Sequence, residues 1–170
     1  MSQPLFGGAL SITVPDGFVD ISQVRQLPDH QEVFASSTTD QSLIVEILEA
    51  VDEDNPLEYH FAQLAEANDS RESKVWRVAR LSATTSVLCG EQLVAKFNER
   101  GANRVAVLLA LVRVPEHSAD VLVSLNAPLS ISAESSSSAA LSLDTDVEQL
   151  QAQFVETVQT LKINDYTLFG

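Results

Sequence analysis

The chain has 170 residues, the size of one ordinary domain that can bury its own core. It carries 24 acidic residues against 10 lysines and arginines, a formal net charge of −14, which disfavours binding to nucleic acid or to an anionic membrane. The one cysteine, Cys89, excludes an intramolecular disulfide and is typical of a reducing compartment.

The charge is unevenly distributed along the chain. Residues 1–70 hold 13 acids and one base, residues 71–113 hold 8 bases and 3 acids, and residues 114–170 hold 8 acids and one base. The acidic first segment favours a basic partner, although acids also serve solubility alone. The basic block can pair with the acidic segments inside the fold.

The N-terminal half contains strand and turn signals. Residues 9–14 predict a strand, and Pro15-Asp16-Gly17 predicts a turn after it. A short helical turn is expected over 21–27. Two further strands, at 33–36 and 43–49, are joined by a loop so short that they must pair antiparallel.

A first helix is expected after the acidic run Asp52-Glu53-Asp54. Asn55 can cap this helix, and Pro56 suits its first position. Leu57 and Phe61 then begin an apolar face at helical spacing. The acidic run is favourably placed near the helix N-terminus, or it extends a binding surface on the preceding loop.

The C-terminal half contains more strands and a second helix. Residues 75–81 are expected to be extended, although their poor alternation also allows a helix, and 91–97 alternate as a half-buried strand. Residues 105–112 are apolar on both faces, which indicates a central strand, and 120–126 pair with it antiparallel. Residues 130–142 predict a flexible serine-rich surface loop. The final helix begins at Thr145, with an apolar stripe that consists of Val147, Leu150, Phe154, Val158 and Leu161.

These elements favour an α+β fold. Two amphipathic helices cover the two faces of a central antiparallel sheet of about six strands, a three-layer α/β/α arrangement. We expect one domain over residues 1–170. No signal peptide is expected, and the apolar run 105–112 is too short to span a bilayer as a helix.

Motifs for catalysis or cofactor binding are not found in the sequence. Gly7-Gly8 precedes a strand and lacks the lysine of a phosphate-binding loop, so the chain is not expected to bind GTP itself. His30, His60 and His117 lie on separate elements without ligand spacing, so no metal site is expected. His60 is expected on a helix surface. We predict no catalytic residue and no cofactor.

A basic face is suggested by Arg71, Lys74, Arg77 and Arg80. Only Trp76 interleaves it with an aromatic ring, and core packing explains that residue equally well. A nucleic-acid site is therefore not expected here.

The most informative stretch is Pro28-Asp29-His30-Gln31-Glu32-Val33. Proline restricts the local backbone, so Asp29 is expected on an ordered turn, where polar groups commonly form binding sites. From the residues alone, turn capping by Asp29 and a solvated strand edge at Glu32 explain both carboxylates.

Several runs of the sequence resemble the Mog family of Ran guanine-nucleotide release factors. They are PLFGGALSITVPDGFVDIS, QLPDHQEVF, TDQSLIVEILE, VAVLLALVRVPEHSADVLVSLNAPL and the C-terminal LFG. The resemblance implies a fold shared in outline with the photosystem protein PsbP. It also implies a non-enzymatic protein that binds the GTPase Ran and promotes nucleotide release. We expect a monomer that is located in the nucleus and cytoplasm.

The same resemblance implies where Ran binds. The acidic residues of the family's P-D-x-Q-E-V stretch face Ran, and they correspond to Asp29 and Glu32 here. The full set of candidate Ran-binding residues is Asp20, Arg25, Pro28, Asp29, His30, Gln31 and Glu32. The alternatives are a small-ligand carrier or a hydrolase with a cleft between sheet and helix near Cys89 or His60, and an adaptor for another basic partner.

Overall fold

The computed structural model describes residues 2–21, 26–70, 72–94, 103–130 and 147–169. Three sequence predictions lie wholly or largely outside these ranges: the helical turn over 21–27, the serine-rich loop beyond residue 130, and the helix start at Thr145. The strands are β1 (Ser2–Leu5), β2 (Leu10–Thr13), β3 (Phe18–Asp20), β4 (Gln31–Ser36), β5 (Ser42–Glu49), β6 (Glu72–Arg80), β7 (Thr85–Val94), β8 (Asn103–Val114), β9 (Ala119–Ser130) and β10 (Lys162–Ile163). The helices are α1 (Pro56–Ala67) and α2 (Val147–Gln159), with 3₁₀ turns at Phe6–Gly8, Pro115–His117 and Tyr166–Phe169.

The described strands form two antiparallel sheets. The main sheet has seven strands in the order β3-β4-β5-β9-β8-β7-β6, one more than the number expected from the sequence. A small sheet of β1, β2 and β10 accompanies it. The predicted antiparallel pairs β4–β5 and β8–β9 are both present.

The apolar strand β8 separates two cores, as its pattern predicts. Ala106, Leu108 and Ala110 belong to the core beneath α2, whereas Val107 and Leu109 belong to the core beneath α1. Successive side chains of a strand point to opposite faces, so a strand buried on both faces has an unbroken apolar run. The sheet therefore lies between the two helices, in the three-layer arrangement.

Each helix buries the stripe that its spacing predicts. Leu57 and Phe61 of α1 are buried against β7 and β8, and Leu150, Phe154 and Val158 of α2 are buried on the opposite face. The small sheet adds Leu5, Leu10 and Ile12 to the α2 core. Complete burial of one such side chain contributes about 1.5–3 kcal/mol.

Three local predictions need correction. Asn55 lies at the N-cap position of α1 but makes no capping hydrogen bond through its side chain, although Pro56 does begin the helix. Strand β7 begins at Thr85, six residues before the predicted start. His60 is buried beneath α1, with 8% of its surface exposed, and does not lie on the helix surface. Its position between Leu57 and Phe61 places it toward the core side of the helix.

Candidate functional site

The turn before β4 is ordered, as the proline predicts. The Gln31 backbone N–H donates to the Pro28 carbonyl at 3.1 Å, which closes the turn. The Ile47 N–H donates to the His30 carbonyl at 2.9 Å and fastens the turn to β5. Pro28, Asp29 and His30 are all exposed. Asp29 is thus presented to solvent by a backbone that is held at both ends.

Glu46 on β5 organises the α1 side of this turn. Its Oε2 accepts a hydrogen bond from Gln31 Nε2 at 2.9 Å and lies 3.9 Å from His30 Nε2. Gln31 and Glu46 are directly opposed in the β4–β5 pair. Sequence analysis missed Glu46, although an acid in the middle of an otherwise apolar strand is a usable signal.

Glu32 points to the other face of the sheet. Its Oε1 accepts a hydrogen bond at 2.9 Å from the backbone N–H of Phe6, in the 3₁₀ turn that precedes β2. Phe6 has a positive φ of 52°, a conformation that is uncommon for a residue with a side chain. Glu32 therefore holds a strained turn in place, in addition to any role at the surface.

The remaining predicted residues lie beside the turn or outside the described ranges. Asp20 is exposed at the end of the edge strand β3 and is paired with Phe34 of β4. Arg25 falls outside the described residues. We call Asp20, residues 28–32 and Glu46 the β4 corner.

The β4 corner has a strongly acidic composition. Among its members are four carboxylates, Asp20, Asp29, Glu32 and Glu46, and no lysine or arginine. The exposed carboxylates of Asp20 and Asp29 attract a cationic patch on a partner and disfavour a polyanion, whereas Glu32 and Glu46 are partly buried on opposite faces of the sheet.

A second polar group lies buried beneath α1. Asp120 is completely buried, and its Oδ1 lies 3.3 Å from Arg113 Nε in an ion pair. Arg113 also donates from Nη2 to the Val51 carbonyl at 3.1 Å. Burial raises the pKa of the Asp120 carboxyl, while the positive charge of Arg113 opposes that shift. This pair joins the basic middle segment of the chain to its acidic C-terminal segment, as expected.

His60 completes this buried group. Desolvation lowers the pKa of its imidazole, and the nearby negative charges of Asp120 and Glu46 oppose the shift. The imidazole Nε2 has no hydrogen-bond partner among the described residues. Because Glu46 is itself a member of the β4 corner, the buried group and the corner share one carboxylate.

A hydrolase that uses Cys89 as its nucleophile is not supported by the surroundings of this residue. This residue lines a groove of about 660 Å³ between α2 and the sheet, but burial raises the pKa of its thiol. A protonated thiol is a poor nucleophile. Cys89 belongs to the α2 core and His60 lies under α1, so the sheet separates them.

Metal-binding clusters and membrane-spanning helices are both absent from the described ranges. No cluster of three or more histidine, cysteine or acidic side chains there could hold a metal ion. Nor does any helix in that part of the chain have the length and apolarity needed to cross a membrane.

Comparison with known proteins gives a match over most of the chain. Residues 3–128 match the family model described as Ran-interacting Mog1 protein. This region includes the whole β4 corner. It also includes strands β1 to β9, except Ser2 at the start of β1 and residues 129–130 at the end of β9.

Similar proteins match over nearly their full length. A protein of Danio rerio named Ran guanine nucleotide release factor is 40% identical, and the match covers 100% of both chains. The nuclear import protein MOG1 of Saccharomyces cerevisiae is 30% identical over 98% of this chain and 83% of its own. The crystal structure of the Saccharomyces cerevisiae Ran-binding protein Mog1p superposes with a TM-score of 0.80 at 26% identity, covering 100% of this chain and 98% of that one.

Proposed function

Because the chain belongs to the family of Ran-interacting Mog1 proteins, we propose that it binds the small GTPase Ran and promotes release of its guanine nucleotide. The observation that carries the proposal is the 40% identity, over the whole of both chains, to a protein named Ran guanine nucleotide release factor. The names of the yeast relatives support a role in nuclear protein import. The protein then works as one Ran-binding domain over residues 1–170.

Nucleotide release by this route requires no chemical step. A protein that binds nucleotide-free Ran better than nucleotide-bound Ran weakens the affinity for nucleotide by the same factor, because binding free energies are reciprocal. A regulatory, non-enzymatic activity is consistent with the buried, protonated thiol of Cys89 and its separation from His60. We expect a monomer that acts in both nucleus and cytoplasm, without a cofactor and without contacts to nucleic acid or membrane.

The β4 corner is the surface that we assign to Ran. Asp29 is exposed on a fastened turn, so little conformational entropy is lost when it pairs with a basic residue. Glu32 contributes charge while its Oε1 holds the Phe6 turn. Pro28, His30 and Gln31 shape the turn, and Asp20 extends the surface along the neighbouring strand. Arg25 remains a candidate from sequence alone.

The assignment is tested by reversing one charge in the corner. Asp29→Lys is expected to weaken Ran binding by about 2–5 kcal/mol if the carboxylate is desolvated in the complex. The readout is release of a fluorescent guanine nucleotide from purified Ran. Asp40→Lys is the matched control, because Asp40 is exposed in the loop at the opposite end of the same β4–β5 hairpin. Equal activity of the two folded variants would refute the assignment.

Glu32 needs a different substitution, since it has a structural hydrogen bond. Glu32→Gln keeps an oxygen that can accept from the Phe6 N–H but removes the charge. Glu32→Ala removes both and should cost about 1 kcal/mol of folding free energy. Weaker Ran binding in Glu32→Gln at unchanged melting temperature would assign the charge to recognition. Loss of binding in Glu32→Ala alone would limit Glu32 to holding the turn.

A further inference from the structure

Three aromatic side chains meet at one end of the main sheet. His117, in the turn between β8 and β9, stacks on Tyr166 with a centroid distance of 5.9 Å and an interplanar angle of 22°. The ring of Phe169 lies 5.8 Å from that of His117 and 6.2 Å from that of Tyr166. We call His117, Tyr166 and Phe169 the aromatic cluster. It attaches the C-terminal 3₁₀ turn to the β8–β9 turn.

Closure of the core explains only part of the aromatic cluster. Leu168 and Phe169 are partly buried and pack against the core beneath α2. Tyr166 is 50% exposed, although it is in contact with both of the other rings. An exposed aromatic ring that is held by its neighbours is a common feature of protein–protein interfaces, because it offers a large contact area at little cost in conformational entropy.

The aromatic cluster lies at the same end of the sheet as the turn of the β4 corner. The Ile47 N–H donates to the His30 carbonyl, and the Ala50 N–H donates to the Ser118 carbonyl, both at 2.9 Å. The end of β5 therefore passes between the two turns. Neighbouring strands lie about 4.8 Å apart, so β4 and β9, which have β5 between them, are separated by about 10 Å.

A second series of contacts joins the aromatic cluster to the β4 corner on the α2 face. Glu32 of the corner accepts a hydrogen bond from the Phe6 N–H, at the start of the Phe6–Gly8 turn. At the end of that turn, Asn164 donates from Nδ2 to the Gly8 carbonyl at 3.2 Å. Tyr166 follows two residues after Asn164. The corner and the cluster are therefore parts of one continuous surface.

Acidic side chains surround the aromatic cluster as well as the β4 corner. Glu116 and Asp165 each precede a member of the cluster directly, and both are exposed. Glu49, at the exposed end of β5, is opposed to Ala119 and lies on the α2 face between the two turns. The acidic character of the corner thus continues to the aromatic rings.

Basic side chains are fewer at this end of the sheet. Lys162 of β10 is exposed and lies three residues before Asp165. Arg113, near the end of β8, points to the α1 face and pairs there with Asp120. Arg25 lies outside the described residues. Among the described residues of the α2 face here, three carboxylates, those of Glu49, Glu116 and Asp165, therefore stand against Lys162.

We propose that the aromatic cluster is part of the Ran-binding surface and receives a lysine or arginine side chain of Ran over the exposed ring of Tyr166. This inference rests on the proposed function, because it takes Ran as the partner of the adjoining β4 corner. A cation is attracted to the face of an aromatic ring, and neighbouring carboxylates strengthen the attraction. A second copy of this chain would bring acids against acids, so it is the disfavoured occupant.

The size of a typical interface is compatible with contact at both places. A standard interface buries about 800 Å² on each partner, which is enough to cover two turns that lie about 10 Å apart. The two places then have different roles. Exposed carboxylates mainly raise the association rate, whereas an aromatic contact that is desolvated in the complex mainly lowers the dissociation rate.

The proposal is tested by measuring association and dissociation rates on immobilised Ran from which the nucleotide has been removed. Tyr166→Leu keeps an apolar side chain but removes the aromatic face, and it should weaken binding by about tenfold, mainly through faster dissociation. Tyr166→Phe keeps the aromatic face and should stay within about threefold of the unaltered chain. Surface plasmon resonance gives both rates.

A matched control separates this effect from a general loss of aromatic surface. Tyr59→Leu makes the same change at a ring that is 36% exposed on α1, on the other face of the sheet, and it should stay within about twofold. The melting temperature of each variant shows whether it is folded. If Tyr166→Leu fails to fold, Glu116→Lys replaces it, because Glu116 is exposed beside the cluster. Glu116→Lys should slow association by about threefold or more.

The possible outcomes distinguish this inference from the proposed function. No binding of the unaltered chain to Ran would refute the proposed function and this inference with it. If the unaltered chain binds, equal dissociation rates for Tyr166→Leu and the unaltered chain would overturn the inference alone. Equal weakening by Tyr166→Phe and Tyr166→Leu would assign the contact to the hydroxyl group and overturn the role of the ring. An equally large effect of Tyr59→Leu would also overturn the inference.

Discussion

The cores on the two faces of the main sheet differ in polarity. The core beneath α2 is apolar apart from Thr157 and includes the small sheet, whose Leu5, Leu10 and Ile12 are completely buried. The core beneath α1 is smaller and contains the buried polar residues His60, Gln92 and Asp120.

Because of this difference, the two faces contribute differently to the stability of the fold and to the dependence of that stability on pH. An apolar core stabilises the fold in proportion to the area it buries and does not depend on pH. Buried ionisable groups cost free energy unless they are paired, and their protonation depends on the surroundings. Glu46, a member of the β4 corner, also lies on the α1 face and acts on the charge of His60. Stability is therefore expected to depend mainly on the α2 face, and pH sensitivity on the α1 face.

The largest effect is expected from a cavity on the α2 face. Phe154 of α2 is 2% exposed, and Phe154→Ala should lower the free energy of unfolding by about 3–5 kcal/mol. Chemical denaturation measures this change. Gln153→Ala, at the exposed neighbouring position, is the control and should stay within about 0.5 kcal/mol. A loss below 1 kcal/mol for Phe154→Ala would contradict the assigned burial.

A smaller effect is expected from overpacking on the α1 face. A Cβ added at Gly90 would lie 2.5 Å from the Lys74 carbonyl oxygen and 3.0 Å from Phe61 Cζ. The carbonyl belongs to the β6–β7 ladder and cannot move away without breaking strand pairing. Gly90→Ala should therefore destabilise by about 1–3 kcal/mol.

The source of that strain can be separated by a second substitution. Adding Phe61→Leu to Gly90→Ala removes the ring contact but leaves the carbonyl contact. A melting temperature that recovers partly, relative to the sum of the single effects, would assign part of the cost to α1. Unchanged stability of Gly90→Ala would show that Gly90 is farther from both the Lys74 carbonyl and the Phe61 ring.

The smallest effect is the pH dependence of the α1 face. The pKa of His60 in the folded protein lies below its ordinary value of 6.5, chiefly because of burial. The unfolded chain therefore binds a proton more readily, so the folded state loses stability as pH falls below about 6.5. His60→Gln should flatten this part of the stability profile.

Other charged groups near His60 limit the pH range over which its effect on folding stability can be measured. Asp120, Glu46 and Arg113 face the imidazole, and the raised pKa of Asp120 gives the opposite slope toward acid pH. Unfolding is therefore compared between His60→Gln and His30→Gln, which removes an exposed imidazole instead. Identical profiles for the two variants would show that His60 is hydrated in the folded protein.

Individual residues show how far periodicity predicts this fold. The unbroken apolar run of β8 and the stripes of α1 and α2 were correctly predicted, because each depends on spacing within one element. The strands β1, β3 and β10 were missed, since two to four residues are too few to establish an alternation. His60 was placed wrongly because helical spacing allows its position at the border of the buried face.

The candidate site was predictable only in part. Proline and the neighbouring acids indicated the turn at 28–32, but the acceptor role of Glu32 depends on Phe6, which lies 26 residues earlier. Glu46 joins the β4 corner through strand register, which sequence does not specify.

The two helices, the buried central strand, the antiparallel hairpins and the acidic character of the chain can all be read from the amino-acid sequence. These features follow from local spacing, short connections and composition. Only the folded chain shows which strands lie at the sheet edges, that Glu32 and Gln31 lie on opposite faces, and that His60, Arg113 and Asp120 meet. Those facts depend on contacts between residues far apart in the chain, which form only when the whole sheet has assembled.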